Sequence, residues 1–309
     1  ASVILAVYLL ALRLGLGGDV GRTAALVVAL LPSLVWYSTQ DLRDPIETCA
    51  LAWSALGLFG LLRRPRRAGL IVLLLVMDVL AVLYRPYVGL LLFGGQLVAA
   101  GLVMHLGRGA FPRALRVLLL LVAFAAGAMI SVRETAALYN VHGLSLNRFV
   151  LAQGVREQVL QQAGSAYPIK LQIHGFADAA LKLPLLVVML MLTPLPFLPG
   201  SAAMMATYPE MWFLYLWVVP NFVRGFRYLW RRDRQALVIL LSGLVPIVAA
   251  YSIRIAAAGL ALRLRTQFLP LLLVLAALGA VISARRKKTQ PTLAQRYLTK
   301  KPTAGDLAE

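Results

Sequence analysis

The residues able to do chemistry in this chain collect where apolar runs end. The first such group is Gln40-Asp41-Leu42-Arg43-Asp44-Pro45-Ile46-Glu47, with Ser33, Ser38 and Thr39 just upstream. Asp44, Pro45 and Glu47 have the types and spacing of a helix start: an N-cap carboxylate, a proline at the first helical position and a Glu closing a capping-box arrangement. Asp41 and Arg43 are not needed for that cap, which makes them the better candidates for contacting a substrate. Asp41 and Asp44 at i, i+3 could also share a divalent cation, although two carboxylates without a third ligand are a weak set. The second group is Tyr84-Arg85-Pro86-Tyr87, an arginine between aromatics in a two-residue connection, where a guanidinium either snorkels to an interface or binds an anion. The third is Tyr208-Pro209-Glu210. The fourth, Arg254 to Gln267, carries Arg254, Arg263 and Arg265 in an otherwise apolar stretch expected to be a loop; guanidiniums bind phosphate or carboxylate as a fork. Asp78, inside an apolar run, is either a proton or ion relay or a carboxylate hydrogen-bonded within a bundle.

The elements that must position these groups are membrane-length apolar segments. The 309 residues are 61% hydrophobic and 14% charged, which excludes an ordinary soluble pair of domains. Crossing about 30 Å of hydrocarbon takes roughly 20 apolar residues, fewer with polar ends or a thin bilayer. Segments of this kind are read at Ser2 to Leu12, Thr23 to Ser38, Ile46 to Leu62, Ala68 to Tyr84, Tyr87 to His105, Ala114 to Val132, Met211 to Leu229, Ala236 to Ile253 and Thr266 to Ala284. The first is short and the chain opens at Ala1 already in an apolar run, so residues upstream are expected. Leu183 to Leu198 contains Pro184, Pro194 and Pro196, with Pro199 just beyond, and is expected to be a re-entrant or interfacial segment rather than a regular helix.

The net charge of +19 sorts with this topology. Arg13 and Arg22, Arg63 to Arg67, Arg108 to Arg116, Arg224 to Arg234 and the tail after Ala284 fall on one side of the alternating spans and hold 21 of the 31 cations. That side is expected to be cytoplasmic, which leaves the four chemical groups on the opposite face and makes the positive charge a topology signal, with no nucleic-acid partner. The expected architecture is all-α, a polytopic helix bundle of about nine spans plus the proline-rich segment. It divides into 1–132, an N-terminal transmembrane bundle; 133–182, an extracytoplasmic loop with an amphipathic helix through Leu146, Phe149, Val150, Val155, Val159 and Leu160; 183–284, the re-entrant segment and C-terminal spans; and 285–309, a cytoplasmic basic tail. Cys49 is the single cysteine, which excludes a disulfide framework and a multi-thiolate metal site, and His105, His142 and His174 lack zinc-ligand spacing. No P-loop or dinucleotide fingerprint is present. No metal site is assigned, and no cofactor beyond that candidate divalent cation.

Pro32-Ser33 followed by Ser38 and Leu42-Arg43-Asp44-Pro45, then Tyr84-Arg85-Pro86, Pro194-Leu195-Pro196 leading to Tyr208-Pro209-Glu210, and Gly259 followed by Arg263-Leu264-Arg265 together resemble the later portion of a GT-C-type membrane glycosyltransferase. That class includes dolichyl-phosphate-mannose protein mannosyltransferases and bacterial aminoarabinose transferases. The resemblance covers about Pro32 to Leu278. It implies transfer of a sugar from a polyprenyl-phosphate carrier to a glycan or protein acceptor on the extracytoplasmic face of a bacterial inner membrane, in envelope glycan synthesis, with membrane lipids as surroundings. By the same resemblance Asp41 or Asp44 would be the acidic group near the acceptor hydroxyl, and Arg85, Arg263 and Arg265 would contact the phosphate, with Arg43, Glu210 and Arg254 as further polar residues of that face. In that class an acidic motif follows the first span; here that region precedes Ala1 or is absent. A transporter or flippase of anionic lipid-linked glycans, and a non-catalytic membrane scaffold, are the competing functions.

Overall fold

The computed structural model describes residues 1–40, 43–63, 68–105, 176–194, 205–254 and 258–289, and among them every regular element is helical. In chain order these are α1 (Ser2–Arg13), α2 (Gly18–Leu30), α3 (Pro32–Gln40), α4 (Arg43–Arg63), α5 (Ala68–Tyr84), α6 (Pro86–His105), α7 (Phe176–Leu192), α8 (Tyr208–Phe213), a π-helical turn (Leu214–Val218), α9 (Val219–Arg232), α10 (Arg234–Arg254) and α11 (Ala258–Thr289). Among the described residues three stretches are long and apolar enough to cross a membrane: Arg43–Leu62, Arg234–Ser252 and Gly259–Arg286. The pair α2 and α3, bent by 56° at Leu31, would make a fourth. The bend has a local cause, because Pro32 supplies no N–H to continue α2 and Leu31 before it takes an extended conformation.

The outside of the bundle is apolar. Along α5, Val72, Val76, Val79 and Leu83 are 58%, 46%, 51% and 67% exposed, a helical stripe that water would penalise and hydrocarbon accepts. Helix α11 is the central post, buried almost continuously from Ala261 to Leu278. It crosses α9 with backbones nearly touching: a Cβ on Gly225 would lie 2.0 Å from Leu275 O, and one on Gly279 would lie 1.9 Å from Asn221 O. Only glycine permits such an approach, as in close-packed membrane helices. α4 and α5 run antiparallel, with Gly57 against Leu74 and Gly60 against Leu70, and Gly95 of α6 packs on Ser242 and Pro246 of α10.

Three sequence expectations change. Leu183 to Leu192 is not irregular: α7 runs through Pro184 and ends at Leu192, before Thr193 and Pro194. Pro184 is exposed, and the helix runs on past it without the bond its missing N–H would make. The boundary drawn between 182 and 183 therefore falls inside a helix. The stretch around Arg263 and Arg265 is not a loop either: Ala258 to Gln267 has no proline, its single glycine, Gly259, falls in the first turn, and the stretch forms the first turns of α11. Finally, Met211 to Leu229 is not one uniformly apolar crossing: α8, the π turn and α9 form a continuous rod whose last part is amphipathic, burying Asn221, Gly225 and Leu229. The expected span at Ala114 to Val132, the amphipathic helix of the long loop, most of the 133–182 region and the end of the basic tail lie outside the described residues.

Candidate functional site

Asp44 was expected to cap its own helix. It lies instead within the first turn of α4, 1% exposed, with its carboxylate turned into the bundle. Arg85 Nη2 donates to Asp44 Oδ1 at 2.7 Å, Gln267 Nε2 donates to the same oxygen at 2.8 Å, and Arg263 Nε donates to Oδ2. Arg85 also holds Glu47, with Nε at 2.9 Å from Oε1. The capping-box reading of Glu47 is thereby corrected as well: a fully buried carboxylate does best beside a guanidinium, and Arg85 lies opposite it. The tight α5–α6 connection puts Arg85 there, its N–H bonded to Ala81 O as though α5 continued one more residue.

Helical geometry divides the two arginines near the start of α11, Arg263 and Arg265. Residues two apart point about 200° from each other, whereas i and i+4 share a face. Arg263 and Gln267 accordingly both reach Asp44, and Tyr251 of α10 donates to Gln267 Oε1, extending the network. Arg265 faces the other way, 1% exposed. Its Nη1 donates to Met191 O at 3.0 Å and Thr193 O at 3.2 Å, capping the end of α7, and its Nη2 contacts Met211 Sδ at 3.1 Å. The expected set of Arg85, Arg263 and Arg265 is therefore split, with two guanidiniums on the Asp44 side and one on the α7 side.

Glu210 joins the second neighbourhood. Its Oε2 accepts the Ser33 N–H at 2.8 Å, putting a carboxylate at the N-terminus of α3 where helix N–H groups lack partners. Its Oε1 and Ser33 Oγ are buried and have no hydrogen-bond partner among the described residues. Tyr37 stands between the neighbourhoods, within electrostatic reach of Asp44, Glu210, Arg263 and Arg265. Beneath Arg265 opens a cavity of about 400 Å³ between α7, the π turn, α9, α10 and α11. Leu183, Val187, Leu214, Phe222, Leu244 and Leu269 are among its lining, and Arg265 is the one charged residue there among the described residues.

Of the remaining expected residues, Arg43 sits exposed at the start of α4 and Arg254 is the last residue of α10, its side chain outside the described residues. Asp41 also lies outside them, so a divalent cation between Asp41 and Asp44 has no geometry to support it. Among the described residues no group of three or more His, Cys, Asp or Glu side chains could hold a metal. Gln267, Tyr251 and the Glu47–Arg85 pairing were missed by sequence reasoning. The one signal for Gln267 was its i+4 spacing from Arg263, which carries meaning only once that stretch is read as helix. Comparison of the chain with protein-family models, with curated proteins and with solved structures finds no match, so what the site does rests on its own geometry.

Proposed function

We propose that the chain is a polytopic membrane glycosyltransferase that moves a sugar from a polyprenyl-phosphate carrier to a glycan or protein acceptor at the extracytoplasmic face of a bacterial inner membrane. In this reading the bundle makes about nine crossings plus the proline-containing segment and has its C-terminus in the cytoplasm. The observation that carries the proposal is the convergence of Asp44, Arg85 and Arg263, from three distant segments, at the end of the bundle where the apolar cavity meets Arg265. The cavity suits a prenyl chain and Arg265 its anionic end. Arg85 and Arg263 would turn from the carboxylates to the donor phosphate. Asp44, released from them, would take the acceptor hydroxyl proton as the sugar–oxygen bond forms and the polyprenyl phosphate leaves. Sugar transfer from radiolabelled polyprenyl-phosphate donors tests it. Asp44→Asn should reduce turnover by about 10²–10⁴-fold, with Arg263→Ala and Asp41→Ala also impaired; wild-type rates in all three would remove the assignment.

A second reading, a flippase or transporter of anionic lipid-linked glycans, draws on the fact that Asp44 and Glu47 already oppose Arg85 and Arg263 charge for charge. Such a lattice can open for an anion and close behind it without chemistry. Movement of a lipid-linked glycan across reconstituted vesicles with no glycosyl product would favour it.

A further inference from the structure

Midway along α5, Asp78 is fully buried away from every ion pair of the described residues. Its Oδ1 accepts from Ser54 Oγ on α4 and, at 3.0 Å, from Gln96 Nε2 on α6, and the same amide nitrogen donates to Ser54 Oγ at 2.7 Å. Three helices thus meet in a closed polar triangle whose members are at most 1% exposed. Two of its oxygens, Asp78 Oδ2 and Gln96 Oε1, find no donor among the described residues. Both are acceptors, so neither satisfies the other. What the triangle lacks is one hydrogen.

The charged and titratable groups on the helices packed around Asp78 are occupied elsewhere or lie at helix ends. On α4, Asp44 and Glu47 face Arg85, Cys49 lies beside Ser2, and Arg43 and Arg63 are the terminal residues. On α5, Tyr84 is the last residue, and on α6 Tyr87 is the second residue and His105 the last. An ionised carboxylate in this place would be a buried charge with no counter-ion among the described residues, the arrangement proteins avoid most strongly. A proton on Oδ2 removes that charge and supplies the missing donor. Gln96 Oε1 is the acceptor on the very amide that already donates to Oδ1, so a proton on Oδ2 is the donor that would let acid and amide pair as a carboxylic acid does with a primary amide.

We propose that Asp78, Gln96 and Ser54 form a buried proton-binding site in which Asp78 holds the proton. The site is stacked beneath the charged cluster: Ser54 follows Glu47 by seven residues on α4, and Asp78 on α5 precedes by seven Arg85, which carries on the last turn of that helix. Seven residues are two turns, about 10 Å, on the same helix faces. Release of the proton puts an uncompensated charge on the face that aligns Glu47 with Arg85, which couples the protonation of Asp78 to the packing of α4 against α5. The proton site does not depend on what the cluster above it binds.

Infrared spectroscopy of the full chain in lipid nanodiscs at neutral pH, with and without ¹³C-aspartate, tests this. The expected result is an isotope-sensitive protonated-carboxyl C=O band that is lost in Asp78→Asn, kept in Asp44→Asn and displaced in Gln96→Leu. Absence of such a band in the wild type, or its survival in Asp78→Asn, overturns the proposal. Should Asp78→Asn fail to fold, Gln96→Leu still decides, because an undisplaced band there shows that the protonated aspartate is not the partner of Gln96.

Discussion

At the residue scale the ion pairs around Asp44 and Glu47 are the most exacting feature. Glu47 is fully buried, and Arg85 bridges it to Asp44. Breaking a buried pair from one side strands the other charge and costs about 3–5 kcal/mol. Arg85→Met should therefore lower thermal stability markedly in detergent, and the double variant Arg85→Met/Glu47→Gln should recover much of the loss. A double variant no more stable than Arg85→Met would show that Glu47 is not what Arg85 neutralises. Gln267 belongs to the same network, donating to Asp44 while accepting from Tyr251. Substituting it changes two hydrogen bonds together, whereas a surface glutamine would change none.

At the element scale, α11 decides how tightly the bundle closes. Its crossing with α9 rests on Gly225 and Gly279, where an added methyl would meet backbone carbonyls that cannot rotate away. Overpacking against movable side chains costs about 1–3 kcal/mol, and a contact with backbone belongs at the upper end or beyond. Gly279→Ala is expected to lower the melting temperature clearly. Gly101→Ala, with nothing within 4 Å among the described residues, should leave it unchanged or raise it slightly through helix propensity. Equal behaviour of the two variants would mean that the α9–α11 approach is looser than described. The same helix illustrates a limit of pattern reading: an arginine-bearing segment at a span end looks like a loop by composition, yet three further helical turns aim Arg263 and Arg265 at different neighbours.

For the whole molecule, the two ends differ in kind. One gathers Asp44, Glu47, Glu210, Arg85, Arg263 and Arg265. The other brings the start of α2 to the end of α11, where Arg285 pairs with Asp19 at 2.9 Å, and α9 finishes in Arg231 and Arg232. In the proposed orientation, which follows the positive-inside preference, that second end faces the cytoplasm. In a Cys49→Ser background, a cysteine at Lys287 should react with a membrane-impermeant maleimide only after the cytoplasmic side is exposed, and one at Arg43 from the opposite side. The reverse pattern would invert the proposed orientation and move the charged cluster to the cytoplasmic face.

Composition and spacing sufficed for the helical class, the apolar character and the bounds of several helices, because burial in hydrocarbon writes long apolar runs directly into the chain. Ala68 to Tyr84 emerges with the same ends in both readings, and the group of polar residues near Asp44, Arg85, Glu210 and Arg263 was visible as polarity at span ends. Partners were not visible. Whether Asp44 caps its own helix or accepts from Arg85, Arg263 and Gln267 depends on residues 41, 219 and 223 positions away in sequence, and no local pattern records such distances. The opposed directions of Arg263 and Arg265, the passage of α7 through Pro184 and the triangle around Asp78 were likewise decided by tertiary structure. Side-chain direction follows from helix phase and from which helices pack together, and both are set only when the bundle closes.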